Sequence, residues 1–213
     1  MKPHAGQPLA TEGAPLGKSA VVVIMVHGRN AAPRNILSLV PSFGRPDLTY
    51  LAPAAAGGTW YPLSFMADKE KNEPGLSSAL WVLEQLVRHV VSSGIRENRI
   101  VLLGFSQGAC LTSEFAASHA DRYGGVVLYS GGLIGPPGTA WNYSGSFAGT
   151  PVFLGCSDVD AHVPRTRVDE SAAVFQRMGA TVTERIYPGM GHLVNEEEIM
   201  FTRTLLDEIT SAR

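Results

Sequence analysis

One pentapeptide constrains this chain more than any other part of it: Gly104-Phe105-Ser106-Gln107-Gly108. It follows the apolar run Ile100-Val101-Leu102-Leu103 and precedes a helix-compatible stretch over 109–119. A G-x-S-x-G sequence between a strand and a helix makes a turn so sharp that the serine backbone is strained and its hydroxyl stands exposed. Glycines are needed two residues to either side, because a side chain there would meet the neighbouring strand or helix. The helix that starts at the turn points its positive end at the serine, which favours negative charge developing there. The chain has 23 glycines, so short Gly/Ser patterns arise by chance, but this pattern occurs once and in the strand-turn-helix context it requires.

Patterning along the rest of the chain predicts the sheet into which such a turn fits. Residues 20–26 form a continuous, largely β-branched run, as expected of a strand buried on both faces. Further strands are predicted over 48–52, 99–105, 125–130, 151–156 and 181–187. Between them lie helical segments at 32–40, 76–93, 109–119, 165–178 and 196–211. The clearest is 76–93, where Leu80, Leu83, Leu86, Val87 and Val90 recur at helical spacing and Gly94 follows. Repeated βα alternation implies an α/β fold with an open, mostly parallel sheet and helices on both faces. At 213 residues the chain reads as one domain over 19–213, preceded by an irregular arm over 1–18 that has room for a short edge strand.

Composition excludes several function classes. A net charge of -2 with no long runs of either sign argues against binding nucleic acid or a membrane surface electrostatically. The longest apolar run, 20–26, is too short to span a bilayer, and no apolar segment follows Lys2 to make a signal peptide. Cys110 and Cys156 lack metal-ligand spacing and read as buried free thiols, as in a reduced cytoplasmic protein. No ligand set for a metal is evident, and no cofactor is expected.

In open parallel sheets, chemistry gathers in the loops at the carboxyl ends of the strands. His27-Gly28-Arg29, Ser106, the pair Asp158 and Asp160, and His192 all follow predicted strands. A serine hydroxyl needs a base to take its proton, and the base needs an anion to orient it. The order serine, aspartate, histidine is that of α/β-hydrolases. His192 is flanked by Gly189 and Gly191, which permit a tight turn over the serine. His4, His89 and His119 read as structural or solvated, and His162 as shaping its loop. Either Asp158 or Asp160 can orient the histidine, the other holding the loop. The oxyanion requires two backbone N–H groups, expected from Gln107 and from Arg29 in the H-G-x sequence. The Arg29 side chain could meet an acidic substrate group, though a solvated or salt-bridged arginine is the simpler reading. Trp60, Tyr61, Phe65 and Met66 lie in a long loop over 54–75 that is expected to overhang Ser106, and Leu133, Trp141 and Met190 are further pocket-wall candidates.

Together these residues resemble the phospholipase/carboxylesterase branch of the α/β-hydrolases, which includes bacterial carboxylesterases and acyl-protein thioesterases. The carriers are Val26-His27-Gly28, Gly104-Phe105-Ser106-Gln107-Gly108-Ala109, Asp160-Ala161-His162-Val163-Pro164 and Gly189-Met190-Gly191-His192. The resemblance runs from about Val21 to the last helix. In that family the acid stands four residues before a proline, in a D-x-x-V-P pattern, which Asp160 matches and Asp158 does not. The resemblance therefore implies Ser106 as nucleophile, His192 as base and Asp160 as acid. The loop His27-Gly28-Arg29-Asn30 departs from the family, where an apolar residue and a glycine are common after His-Gly. The implied activity is a cofactor-free serine carboxylesterase that acts on small short- to medium-chain esters through an acyl-enzyme. A lysophospholipase or acyl thioesterase is the alternative in the same fold, and a non-catalytic binding protein the alternative in another class. A homodimer is left open.

Overall fold

The computed structural model describes residues 2–212. Among these, the apolar runs pair into one sheet of seven strands: β1 (Leu9–Gly13), β2 (Val22–Val26), β3 (Thr49–Pro53), β4 (Ile100–Phe105), β5 (Gly125–Tyr129), β6 (Pro151–Ser157) and β7 (Thr181–Tyr187). The spatial order is β1-β3-β2-β4-β5-β6-β7. Every neighbouring pair is parallel except β1 with β3, which runs antiparallel with Leu9 opposite Pro53. The predicted α/β architecture, a mostly parallel sheet with helices on both faces, is thus present as a single domain.

Strand periodicity of two divides the central runs between two cores. Val22, Ile24, Val26, Leu102 and Leu128 face one core, and Val23, Met25, Leu103, Val127 and Tyr129 face the other. The first core is covered by α3 (Gly75–Ser92), α4 (Gln107–Ser118) and α5 (Arg165–Arg177), through residues such as Leu83, Phe115 and Phe175. The second is covered by α1 (Pro33–Leu37), α2 (Val40–Phe43) and α6 (Glu196–Ser211), through Ile36, Phe43 and Leu206. Among the described residues no helix is long and apolar enough to cross a membrane.

At this level one expectation changes and another is made specific. The helix predicted over 32–40 is two short helices, α1 and α2. Pro41 has no N–H to offer the Leu37 carbonyl four residues earlier, so one continuous helix would lose a bond and gain a clash. The arm is also ordered in part. Residues 9–13 form the β1 edge, and His4, expected to be structural or solvated, is only 3% exposed. One His4 ring nitrogen, Nε2, lies 2.8 Å from the Trp60 carbonyl, and Nδ1 accepts the Ala56 N–H at 3.0 Å.

The strand order also places the site. From β2 the chain moves outward to β3, then returns to the other side of β2 to form β4 and continues to β7. The reversal opens a crevice at the carboxyl ends of β2 and β4, where ligands bind in sheets of this kind. Gly28 follows β2 and Ser106 follows β4.

Candidate active site

Strand β4 ends at Phe105 and α4 starts at Gln107, so Ser106 alone makes the turn. Its backbone has φ 56° and ψ −122°, a strained conformation for a residue with a side chain. The turn is held from both sides. The Ser106 N–H donates to the Tyr129 carbonyl on β5 at 2.9 Å, and the Ser106 carbonyl accepts the Cys110 N–H at 3.0 Å. The two flanking glycines are required by contact. A methyl on Gly104 would lie 2.5 Å from the Gly108 carbonyl oxygen, and one on Gly108 would lie 2.1 Å from that of Val26.

His192 arrives from the loop between β7 and α6. Its Nε2 lies 2.8 Å from Ser106 Oγ and its Nδ1 lies 2.7 Å from Asp160 Oδ2. Asp160 comes from the loop after β6 and its side chain is 0% exposed. Its Oδ1 accepts the backbone N–H groups of His162 at 2.8 Å and Val163 at 3.0 Å. Burial pushes the Asp160 carboxyl upward, but the hydrogen bonds from His192, His162 and Val163 outweigh it and hold the group below the usual carboxylate range. An ionised carboxylate only accepts, so the proton on His192 sits at Nδ1 and Nε2 is free to take one from Ser106. The imidazole is also packed between rings, Phe105 at 5.1 Å and His162 at 4.8 Å between centroids.

Asp158, the other candidate acid, does not reach His192. Its Oδ1 accepts the Gly189 N–H at 2.8 Å, and the Ser157 hydroxyl accepts the Gly191 N–H at 3.1 Å. These bonds join the acid loop to the base loop, where Gly189 and Gly191 both have positive φ, 66° and 79°. Cys156 adds a contact that sequence reasoning missed. Burial pushes its thiol up to about 12, so it stays protonated, with Sγ 3.7 Å from Asp160 Oδ2. Both cysteines are buried free thiols.

Above Ser106 lies a cavity of about 880 Å³. Tyr61 and Phe65 line it, together with Ile36 and Leu39 from the α1 region and Leu193 and Val194 beyond His192. Trp60, Leu133 and Met190, expected on the wall, are not part of the lining. Trp60 is 0% exposed and turned inward, its indole N–H donating to the His27 carbonyl at 2.9 Å. Leu133 is drawn into the core by Ser171, whose hydroxyl accepts its N–H at 2.9 Å, and by Arg167, which donates to its carbonyl at 2.8 Å. The Met190 sulfur lies against Asn195 Nδ2 at 2.9 Å. The lining at Ile36, Leu39 and Val194 was missed because nothing in local spacing shows that the α1 region and the loop after His192 face the crevice.

Gln107 and Arg29 have side-chain duties beside the backbone ones expected of them. The Gln107 amide clasps the long loop, accepting the Trp60 N–H at 3.0 Å and donating to the Tyr61 carbonyl at 2.8 Å. The Arg29 guanidinium donates from Nη1 to the Pro62 carbonyl at 2.8 Å and from Nη2 to the Leu63 carbonyl. The Gln107 N–H is one of the helix-start donors with no partner inside the helix, and it points from the positive end of α4. A methyl on Gly28 would lie 3.4 Å from Ser106 Cβ, so the strand-end loop that carries Arg29 passes directly beside the serine. Among the described residues no group of three or more His, Cys, Asp or Glu could hold a metal ion.

Comparison with known proteins agrees with this architecture. The profile of the Phospholipase/Carboxylesterase family matches residues 15–210. A phospholipase/carboxylesterase from Dyadobacter fermentans superposes with a TM-score of 0.90 at 37% identity, covering 94% of this chain and 96% of that one. The acyl-protein thioesterase 1 of Eremothecium gossypii is 29% identical over 166 residues, which is 73% of this chain and 68% of the relative. The carboxylesterase of Bacillus cereus shares the α/β-hydrolase fold, with a TM-score of 0.78 at 18% identity over 96% of this chain and 95% of that one. With its profile match spanning nearly the whole chain, this protein belongs to the phospholipase/carboxylesterase family.

Proposed function

We propose that the protein is a serine carboxylesterase that hydrolyses small, short- to medium-chain carboxylic esters through an acyl-enzyme on Ser106. The observation that carries this reading is the relay at the cavity floor: Ser106 Oγ 2.8 Å from His192 Nε2, and His192 Nδ1 2.7 Å from Asp160 Oδ2. In this reading Ser106 Oγ attacks the ester carbonyl while His192 Nε2 takes its proton. The carbonyl oxygen becomes an oxyanion held by the backbone N–H groups of Gln107 and Arg29. Collapse of the tetrahedral intermediate breaks the C–O bond to the alcohol, which leaves with the proton from His192. Water then attacks the acyl carbonyl while His192 takes its proton, and collapse of the second tetrahedral intermediate breaks the bond to Ser106 Oγ, which recovers the proton from His192 as the acid is released. Asp160 keeps the imidazole in the productive tautomer throughout.

A second reading, an acyl thioesterase, is favoured by the relative from Eremothecium gossypii. It uses the same residues and differs only in the leaving group.

The experiment is a rate series on p-nitrophenyl esters from acetate to palmitate, with Ser106→Ala alongside. A Ser106-dependent rate that peaks at short or medium chains is expected, and the substitution should lower it by roughly 10³-fold or more. A peak at long chains would favour the thioesterase or lysophospholipase reading. A rate that survives Ser106→Ala would refute the acyl-enzyme.

A further inference from the structure

We infer that the site selects esters that carry a carboxylate, and that the Arg29 guanidinium is the group that receives it. The inference rests on the esterase reading and narrows its substrate class to anionic esters. It starts from the charge balance of the cavity. Among the described residues Arg29 is the one permanently charged side chain in the lining, and no aspartate or glutamate is part of it. The remaining titratable groups facing the cavity are His27, His162, His192, Tyr61 and Cys110. Burial raises the tyrosine and the cysteine, so neither contributes negative charge at neutral pH.

The arginine itself is available. Arg29 is exposed, and among the described residues no carboxylate lies within ion-pair distance of it. A guanidinium has five N–H donors in a rigid fork. Two are engaged by the Pro62 and Leu63 carbonyls, which fix the direction of the group without cancelling its charge. A side chain already held this way loses little rotamer freedom when an anion binds, and its remaining donors match a carboxylate. The carboxylate of the catalytic relay, Asp160, does not compete. Its side chain is 0% exposed and both oxygens accept hydrogen bonds, from His192 and from the His162 and Val163 N–H groups. An anionic ester therefore meets a cavity wall with one oriented cation and no facing anion.

The competing account is that Arg29 is only a strut for the loop at 62–63. A strut affects the hydrolysis of charged and neutral esters alike. An anion site affects the charged ones alone and is screened by salt.

The test uses the full chain and two matched pairs. The acyl-side pair is the 4-nitrophenyl monoester of glutarate and its methyl-capped neutral counterpart. The alcohol-side pair is 4-acetoxybenzoate and its methyl ester. In at least one pair the ratio of kcat/KM, anionic over neutral, should be roughly tenfold higher in the wild type than in Arg29→Gln, whatever happens to the absolute rates. Arg29→Lys should keep part of the ratio, because the charge remains while the fork is lost. In the wild type the ratio should fall severalfold between about 20 mM and about 500 mM salt, a readout that survives if the variants fold poorly. Neutral esters hydrolysed with a ratio that neither salt nor Arg29→Gln changes would overturn the anion site and leave the esterase reading standing. No Ser106-dependent hydrolysis of either kind would overturn both.

Discussion

Asp158 and Asp160 lie two positions apart on one loop, yet one residue of separation turns them to opposite tasks. Asp160 Oδ2 meets the His192 imidazole, and Asp158 Oδ1 ties down the Gly189 N–H that shapes the loop beneath it. Asp160→Asn leaves an amide that can present N–H to His192 Nδ1 and so favours the wrong tautomer. It should lower kcat/KM by roughly 10³-fold or more. Asp158→Asn keeps a carbonyl oxygen for Gly189, so its loss should stay within about tenfold. Initial rates of the two variants on one ester check this, and the reverse order would mean that the acid has been misassigned. Ser106 and His192 were legible in the sequence because each sits alone in a glycine-flanked turn after a strand. The choice between the two aspartates was not legible from position, since both follow the same strand; the D-x-x-V-P resemblance made it. Trp60 was misjudged for a related reason. Its place in a loop over the site gives no indication that its indole N–H would turn inward to the His27 carbonyl.

Strand β4, helix α4 and strand β2 form the element on which the site depends, and its tolerance is set by distance. A methyl on Gly108 would stand 2.1 Å from the Val26 carbonyl oxygen, backbone against backbone, with no rotamer to relieve it. Gly108→Ala should therefore cost at least about 3 kcal/mol or prevent folding. A methyl on Gly28 would be 3.4 Å from Phe105 Cδ1 and Ser106 Cβ. Gly28→Ala should fold with less than about 1 kcal/mol lost, although it crowds the serine. Urea unfolding of the two variants measures the contrast, and equal losses would show that helix and strand can separate to make room. The central strands were legible because a run buried on both faces needs no partner to be recognised. The break between α1 and α2 was missed because the helix was read only over 32–40, and Pro41, which interrupts the bonding from Leu37, lies just beyond that range. The part of the arm that matters was not legible at all, because His4 reaches Trp60 and Ala56, more than 50 positions away.

Across the whole molecule, the ends of β5 and β6 are joined to α6 by one buried acid. Glu198 is 0% exposed and stands in the first turn of α6, where its Oε2 accepts the Asn195 N–H at 2.9 Å. Tyr129 on β5 donates its hydroxyl to the Glu198 carbonyl at 3.3 Å. The side chain fills the space over Gly155 on β6, where a methyl would lie 2.1 Å from Oε1, and that oxygen has no partner among the described residues. Burial pushes the carboxyl up from 4.5 to about 7, against the opposing hydrogen bond from Asn195. Between these values the folded protein keeps a proton that the unfolded chain has released. Stability must then fall as pH rises, by about 1.4 kcal/mol per unit and about 3 kcal/mol in all. Asp160 acts in the opposite sense. Its folded value lies below the unfolded one, so its contribution is present at neutral pH and is lost as pH drops through the folded value. The two gradients run in opposite directions with pH. Glu198→Gln removes one of them while keeping an oxygen for the Asn195 N–H. Relative to wild type, its unfolding free energy should rise by up to about 3 kcal/mol between pH 4.5 and pH 8. Urea midpoints taken across that range decide the matter. Parallel curves for the two proteins would mean that Glu198 titrates as it would in water, and that the acid under the strand ends is ionised throughout.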